Sequence, residues 1–312
     1  MTTVLTVAFP VFAVIAAGYL AGRFHLASAD DAAALNRFVF RFGFPAALFA
    51  LMSSATGFGP ADAAIALSYG GAALAVMTAS YVIARIIFSL SPEDAGAHAF
   101  ASTIGNAVFL GLPIALGIEG WARPFVGLML VEGILVIGLG AALMAPRSKA
   151  HGAPLHQRIG AVIARPLKNP LVAAALAGFV FSALGLSLPV PVRSFFEILG
   201  RAAGPVALFS LGLFFATRAF PPLRETAGKT FAIMAMKMAA MPALAFALLS
   251  LAAPVDDAHR GALALFTFVP TAVGAYVMAS QYGRYVDETA TAIAATTALS
   301  VVSITAVLVA FT

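Results

Sequence analysis

Long apolar runs separated by short polar loops extend along the whole chain. A helix of about 20 residues crosses a hydrocarbon core about 30 Å thick, and each run is long enough for one crossing. The predicted spans are 3–22, 34–53, 62–90, 98–118, 122–145, 168–187, 195–217, 226–252, 259–281 and 288–311. The alternating ten-residue pattern typical of a membrane-spanning barrel does not occur. The pattern therefore predicts an all-α membrane protein with ten transmembrane helices.

The longest polar stretch, residues 146–167, divides the predicted spans into two groups of five. We therefore predict a first five-helix unit over residues 1–145, a linker, and a second five-helix unit over residues 168–312. Most of the 18 Lys and Arg residues lie in loops that follow odd-numbered spans, and the linker is one of these loops. The positive-inside rule then predicts a cytoplasmic linker, with both termini on the outer face of the inner (plasma) membrane.

The two halves of the sequence resemble each other when one is shifted by 160 residues. Pro10–Gly18 (PVFAVIAAG) aligns with Pro170–Gly178 (PLVAAALAG), and Pro45–Leu51 (PAALFAL) aligns with Pro205–Leu211 (PVALFSL). Shared helix composition accounts for matching Ala and Leu, but not for two prolines in register. Because each half holds an odd number of spans, the second half enters from the opposite face. We therefore predict an inverted repeat, an architecture typical of secondary transporters.

The fourth and ninth predicted spans are interrupted by glycine and proline. Proline removes a backbone hydrogen bond inside a helix, and freed backbone groups in hydrocarbon persist only beside a cavity or protein partners. We expect two broken helices whose second halves begin near Pro113 and Pro270, with N–H groups that favour an anion. A packing kink is the alternative. The residues predicted to bind substrate are Gly105, Asn106, Gly111, Pro113, Pro270, Thr271 and Gly274.

Two charged residues lie deep within predicted spans, Glu132 in the fifth and Lys237 in the eighth. A charge at the centre of a bilayer costs about 2.5–3.5 kcal/mol on insertion scales, so each needs a physical reason. They pair with each other, or the span boundaries are misplaced and one side chain reaches a vestibule. Alternatively, Lys237 attracts an anion or replaces a coupling cation while Glu132 carries a proton. The sequence leaves these alternatives open.

The amino-acid composition and motifs exclude several kinds of site and partner. The chain is 62% hydrophobic and 10% charged, with a mean hydropathy of +0.99 and no cysteine, which excludes disulfides and thiolate metal sites. The net charge of +5 arises in loops between spans, so we expect no nucleic-acid partner. The five histidines lie in loops or at span ends without metal-ligand spacing, and we expect them to be solvated. No phosphate-binding loop of the G-x-x-x-x-G-K-[ST] type occurs, so this chain does not hydrolyse ATP directly.

Several segments together resemble the auxin efflux carrier family in its short bacterial form, and the resemblance covers nearly the whole chain. They are Gly18-Tyr19-Leu20, Leu35-Asn36-Arg37-Phe38-Val39, Phe44-Pro45-Ala46, Gly105-Asn106, Gly111-Leu112-Pro113, Lys168-Asn169-Pro170-Leu171 and Pro270-Thr271-Ala272. One position departs from the family: Gly274 stands where members often carry Asn, four residues after the proline of the ninth span.

This resemblance implies a fold shared with the bile-acid sodium symporters. Spans 1, 2, 6 and 7 would form a scaffold, and spans 3–5 and 8–10 a transport domain that moves as an elevator. It also implies a homodimer joined through scaffold helices, surrounded by membrane lipids, and a small organic anion as substrate, such as a malonate-like carboxylate or an auxin-like acid. We expect no cofactor, and a proton or sodium as the coupling ion.

Two other function classes are weighed against the carrier. An intramembrane enzyme needs a nucleophile with a base, or paired carboxylates, whereas Glu132 is the only acid deep within a span. We therefore predict that the chain is not an enzyme. A channel or sensor on a carrier-like fold would show flux too fast for alternating access, or ligand binding without flux. The internal repeat favours the carrier.

Overall fold

The computed structural model describes residues 2–54, 59–145, 169–218, 223–252 and 254–312, and no strand forms among them. The predicted linker, 146–167, lies outside the described residues. Helices fill most of the described chain: α1 Thr2–Arg23, α2 Ala29–Ser53, α3 Pro60–Ile86, α4 Pro92–Ala101, α5 Ala107–Leu116, α6 Ala122–Met144, α7 Pro170–Ala183, α8 Val190–Thr217, α9 223–249, α10 Asp257–Phe268, α11 Val273–Tyr282 and α12 Val286–Phe311. The prediction of an all-helical chain is confirmed for these residues.

Six of the described helices are long and apolar enough to cross a membrane, namely α2, α3, α6, α8, α9 and α12. The segments predicted as the fourth and ninth spans are each two helices with a break between them. Helices α4 and α5 are separated by residues 102–106, and helices α10 and α11 by residues 269–272. The second break falls within the Gly/Pro interruption of the sequence, and the first overlaps the start of its interruption at Gly105 and Asn106.

Several helices begin earlier than the apolar pattern predicts, because capping residues and acidic first turns resemble loops in sequence. Ser28 accepts a hydrogen bond from the Asp31 N–H at the start of α2, and the Asp31 carboxylate accepts one from the Ser28 N–H. Ser91 caps α4 and Asp256 caps α10, each by accepting a backbone N–H. Acidic residues in the first turn also suit the positive end of the helix dipole.

One group of helices, α1, α2, α7 and α8, packs through glycines. A Cβ on Gly18 of α1 would lie 2.0 Å from the carbonyl oxygen of Phe209 in α8. A Cβ on Gly178 of α7 would lie 2.6 Å from the carbonyl oxygen of Phe49 in α2. These two contacts are reciprocal under the 160-residue shift, which relates Gly18 to Gly178 and Phe49 to Phe209. Only glycine permits such close backbone approach.

The remaining helices form a second group. Helix α3 packs on α4 and α9, α4 packs on α6, and α10 lies between α6 and α12. An ion pair of 3.1 Å joins Arg123 at the start of α6 to Asp62 at the start of α3. A second, of 2.7 Å, joins Lys229 of α9 to Glu288 of α12. Electrostatic contacts near helix ends thus tie this group together.

Four described helical regions contain a π-helical turn, and three of these turns directly precede a proline. The turns Val39–Gly43, Ala107–Gly111 and Met236–Ala240 are each followed by an α-helical segment with proline at its second position. A wider turn accommodates a residue that has no N–H to donate and whose ring crowds the preceding turn. The fourth turn, Glu132–Val136, lies in α6.

Candidate functional site

The two helix breaks meet in the core of the second group. Gly105 and Thr271 form an isolated antiparallel bridge. The Asn106 N–H donates to the Pro270 carbonyl at 2.7 Å, and the Ala272 N–H donates to the Ile104 carbonyl at 3.3 Å. We call residues 102–106 and 269–272 the crossing. The two breaks therefore satisfy part of each other's backbone, which hydrocarbon would otherwise leave unpaired.

At the first break, Glu132 supplies the acceptor that the backbone lacks. Its Oε1 accepts hydrogen bonds from the Gly105 N–H and from the Tyr69 hydroxyl, both at 2.8 Å. Glu132 is 6% exposed and Tyr69 is fully buried. A carboxylate at this point faces the gap between the end of α4 and the start of α5, where backbone N–H groups carry positive potential.

Lys237 lies at the same point from the other side and is fully buried. Its Nζ donates to the Thr267 carbonyl at 3.3 Å, in the last turn of α10, where carbonyl groups concentrate negative potential. A Cβ on Gly105 would lie 3.3 Å from Lys237 Nζ and 3.5 Å from Glu132 Oε1. Among the described residues, Glu132 and Lys237 do not form a direct ion pair with each other. Each charge instead compensates the end of a broken helix.

Asn106 is 1% exposed, and its amide nitrogen Nδ2 has no hydrogen-bond partner in the described structure. It immediately precedes α5, so the first N–H groups of that helix surround it. An unpaired buried donor costs about 1–3 kcal/mol, and natural structures retain such groups where a ligand or water binds. The site thus offers unpaired donors next to a helix N-terminus.

The second break is held by neutral groups. The Thr271 N–H donates to Thr296 Oγ1 of α12 at 3.1 Å, and the Thr271 hydroxyl donates to the Ala101 carbonyl at 3.0 Å. Thr271 and Thr296 are both fully buried. Helix α11 begins just after this break, so two helix N-termini start at the crossing.

The sequence predicted that the second half-helices begin near Pro113 and Pro270, and the first of them begins earlier than predicted. Helix α5 starts at Ala107, well before Pro113, because the π-turn 107–111 already has helical backbone. Helix α11 starts at Val273, after Pro270, whose carbonyl is used in the crossing. The two remaining site glycines differ in their surroundings. A Cβ on Gly111 would lie 2.4 Å from the Phe125 ring, whereas a Cβ on Gly274 would meet nothing within 4 Å.

A cavity of about 580 Å³ lies between the first helix group and α5. Pro113 reaches its wall from the second group, whereas Asn106 is not among the lining residues. Most of the lining is apolar, and the charged members are Arg193, Glu197 and Arg201 of α8. Arg201 pairs with Glu197 at 3.0 Å, and both are substantially exposed. The cavity therefore has apolar walls with cationic groups.

Two histidines that the sequence predicted to be solvated are buried instead. His98 lies inside α4 with its Nδ1 3.0 Å from the Tyr285 hydroxyl. His259, 9% exposed, lies between Asp256 and Asp62. Hydrogen bonds from the side chain and backbone of His259 lower the pKa of the Asp256 carboxyl. The prediction was wrong because α4 and α10 begin before the apolar runs that defined spans 4 and 9.

The structure brings Gly105, Asn106, Pro270 and Thr271 together at the crossing. Glu132 and Lys237, for which the sequence left several roles open, lie beside them. Sequence reasoning missed Tyr69 and Thr296, which read as ordinary helix residues. The π-turns that hold Glu132 and Lys237 were also missed. π-turns are frequent at functional sites, but only the proline after a turn gives a sequence signal, and α6 lacks one.

A family model described as "Membrane transport protein" matches residues 3–308. The chain is 27% identical over 318 residues to a protein of Rhizobium meliloti (strain 1021) named "Putative malonate transporter", covering 99% of this chain and 96% of that protein. It is also 27% identical over 294 residues to "Uncharacterized transporter YfdV" of Escherichia coli (strain K12), covering 88% and 87%. The match to "Lysosomal cholesterol signaling protein" of Mus musculus covers 88% of this chain but 34% of that protein, at 24% identity. The resemblance identified from the sequence motifs is confirmed, and the chain belongs to the family of membrane transport proteins that includes the auxin efflux carriers.

Proposed function

We propose that this membrane transporter is a secondary carrier for a small organic anion, and that the anion binds at the crossing. One observation carries the proposal: the buried amide of Asn106 has an unpaired donor at the N-terminus of α5. Helix N-termini and unpaired N–H groups favour anions, and the fully buried Lys237 adds positive charge nearby. Substrate-binding residues in this proposal are Gly105, Asn106, Gly111, Pro113, Pro270, Thr271 and Gly274.

The cavity beside α5 is large enough for a small organic anion and so supports the proposed substrate class. Its volume, about 580 Å³, exceeds what a three-carbon dicarboxylate needs and admits a larger acid as well. Arg193 and Arg201 outnumber Glu197 in the lining, so the cavity carries a net positive charge, which raises the local concentration of anions. The relative from Rhizobium named for malonate agrees with a compact dicarboxylate.

We further propose that the described helices form ten spans in two inverted repeats. The scaffold is α1, α2, α7 and α8, and the transport domain consists of α3–α6 and α9–α12. The reciprocal contacts of Gly18 and Gly178 support this division, because an inverted repeat reproduces each contact with the halves exchanged. The transport domain would move against the scaffold as an elevator, and the scaffold would join two copies in the inner membrane with both termini outside. Apolar side chains exposed on α8, including Val190, Phe195 and Ile198, are available for lipid or a second copy.

Glu132 and Lys237 are our candidates for coupling. Lys237 is a tethered cation at the carbonyl end of α10, a position that suits a coupling ion. Glu132 can take up a proton while keeping its hydrogen bonds to Gly105 and Tyr69 through Oε1. This arrangement favours coupling of transport to protons. Sodium is the alternative coupling ion, and the experiment below distinguishes the two by varying pH and sodium.

The test is thermal unfolding of the purified protein with malonate, longer dicarboxylates and aromatic acids, at two pH values, with and without sodium. A ligand at 100 times its dissociation constant adds about 2.7 kcal/mol to the free energy of unfolding. Uptake of each stabilising anion into proteoliposomes then separates a carrier from a sensor, since a sensor binds without flux. Stabilisation only by neutral compounds or cations would overturn the anion assignment.

Asn106→Ala tests the location of the site. We expect substrate affinity to fall about tenfold or more, with stability kept, because Nδ2 has no partner inside the protein to lose. Thr297→Val is the matched control, since Thr297 is also buried with an unpaired polar atom but is not part of the crossing. Equal affinity in both variants would place the substrate elsewhere.

A further inference from the structure

The interface between the scaffold and the transport domain differs at its two ends. Leu51 of α2 and Pro113 and Leu116 of α5 line the large cavity, and Leu116 is 41% exposed. We call these three residues the open-side triad. They come from both helix groups, so a cavity lies between the two groups at this end.

The 160-residue shift relates Leu51 of α2 to Leu211 of α8. At the other end of the interface Leu211 lies with Val273 and Tyr276 of α11, and we call these three residues the closed-side triad. They pack together with Ile15, Phe214 and Ile293 in a separate apolar cluster between α1, α8, α11 and α12. Leu211 is 1% exposed and Val273 is 8% exposed. Leu51 therefore lines an open cavity at one end, whereas its equivalent Leu211 lies in a packed cluster at the other.

Arg218, at the end of α8, adds a contact at the packed end. Its guanidinium carbon lies 3.5 Å from the centroid of the Tyr276 ring and 5.8 Å from that of Phe214. The guanidinium also interacts with the Tyr276 hydroxyl, and its Nε is buried without a hydrogen-bond partner, so the ring and hydroxyl of Tyr276 together compensate this cation.

We propose that the stack of Arg218 on Tyr276 is a one-sided latch, which holds the transporter open at the Arg193 end and closed at the Arg218 end. Release of the stack lets the closed-side triad separate and form the cavity of the opposite conformation, while the open-side triad packs together. The proposal rests on the carrier function only in requiring that the two conformations exchange. A latch at one end makes the two conformations unequal in population despite the related halves.

The absence of cysteine from the sequence allows a direct test by thiol labelling. Leu51→Cys and Leu211→Cys are a matched pair, one from each triad at equivalent positions. Each is labelled with a hydrophilic maleimide in detergent, where both ends are accessible to reagent. We expect the thiol of the Leu51→Cys variant to react quickly. The thiol of the Leu211→Cys variant should react slowly, since its reaction follows the small fraction of time in which the closed side opens.

Adding Arg218→Gln to each member of the pair tests the latch itself. Labelling at position 211 should accelerate about tenfold, within the range for loss of a partly desolvated cation–π contact, whereas labelling at position 51 should change little because the open conformation remains the major one. Arg23→Gln is the control, because Arg23 is an exposed cation at the end of α1 and its loss also removes one positive charge. Equal rates at position 211 with and without Arg218→Gln, or the same change with Arg23→Gln, would overturn the latch.

Tyr276→Leu and Tyr276→Phe keep the proposal testable if Arg218→Gln does not fold. Tyr276→Leu removes both the ring and the hydroxyl that contact Arg218 and should raise labelling at position 211 strongly, whereas Tyr276→Phe keeps the ring and should raise it less. Identical labelling in these two variants would also contradict the latch. Labelling needs no substrate. If the labelling rate shifts but no anion stabilises the protein, the latch is supported and the anion substrate is rejected. If anions are taken up but the labelling rate does not shift, the anion substrate is supported and the latch is rejected.

Discussion

The two breaks at the crossing solve the same physical problem with different chemistry. In each, a side-chain oxygen on the final helix of its half accepts an N–H from the bridged residue. Thr296 of α12 serves Thr271 with a neutral hydroxyl, and Glu132 of α6 serves Gly105 with a carboxyl group. A hydroxyl is sufficient to satisfy such an N–H. The charge at Glu132, with the buried Lys237 beside it, therefore exceeds what the backbone needs and indicates a role beyond folding.

Removing one charge of the first break should have the largest effect on stability. Lys237→Met leaves Glu132 without its nearby cation and the Thr267 carbonyl without its donor, and we expect a loss of about 3–5 kcal/mol in the free energy of unfolding. Thermal unfolding in detergent measures it. Lys229→Met is the control: its ion pair with Glu288 is partly exposed, so its loss should cost less than about 1 kcal/mol. Equal losses in both variants would mean that the buried charge at position 237 contributes no more to stability than the partly exposed one at position 229.

Removing the neutral acceptor at the second break should have a smaller effect on stability. Thr296→Val keeps the side-chain shape but leaves the buried Thr271 N–H without an acceptor, at a cost of about 1–3 kcal/mol. The neighbouring Thr297→Val should be nearly neutral, since the Thr297 hydroxyl has no partner to lose. The difference between their unfolding temperatures isolates one hydrogen bond. Similar stability for the two variants would show that water satisfies Thr271 instead.

Making the first break as neutral as the second tests whether its charge is functional. Glu132→Gln with Lys237→Met keeps an acceptor for the Gly105 N–H and leaves no uncompensated charge, so we expect stability within about 1–2 kcal/mol of the parent. Transport should fall at least about tenfold and lose its pH dependence, because no group at the crossing then exchanges a proton. Uptake by proteoliposomes across a pH series provides the measurement. Transport with an unchanged pH profile would assign both charges to folding alone.

The sequence marked several residues at or beside the crossing, but it did not show how these residues contact one another. Helix type, the interruptions at Gly105–Pro113 and Pro270, and the isolated charges at Glu132 and Lys237 are visible because hydrocarbon penalises polar and broken segments strongly. The roles of Tyr69 and Thr296 depend on which helices touch, and nothing local records that. The 160-residue shift relates the contact of Gly18 with Phe209 to that of Gly178 with Phe49, which the hydropathy pattern does not record. A repeat carries long-range information that propensity and hydropathy do not.

The smallest stability change should come from Gly274→Asn, which gives the second break a polar amide like that of the first. A Cβ there meets nothing within 4 Å, and asparagine is no worse than glycine in a helix, so the free energy of unfolding should move by less than about 0.5 kcal/mol. Gly111→Ala at the first break is the contrasting control. Its Cβ would clash with Phe125, at a cost of about 1–3 kcal/mol.

The informative measurement on Gly274→Asn is ligand affinity rather than stability. A second amide near Asn106 adds donors on the α11 side of the site, so a dicarboxylate with two groups to place should gain more than a monocarboxylate of similar size. We expect the ratio of the malonate and acetate dissociation constants, measured by calorimetry, to shift about three- to tenfold toward malonate. An unchanged ratio would mean that the bound anion lies on the Asn106 side alone. The open space beside Gly274 would then belong to the path of the substrate and not to its binding site.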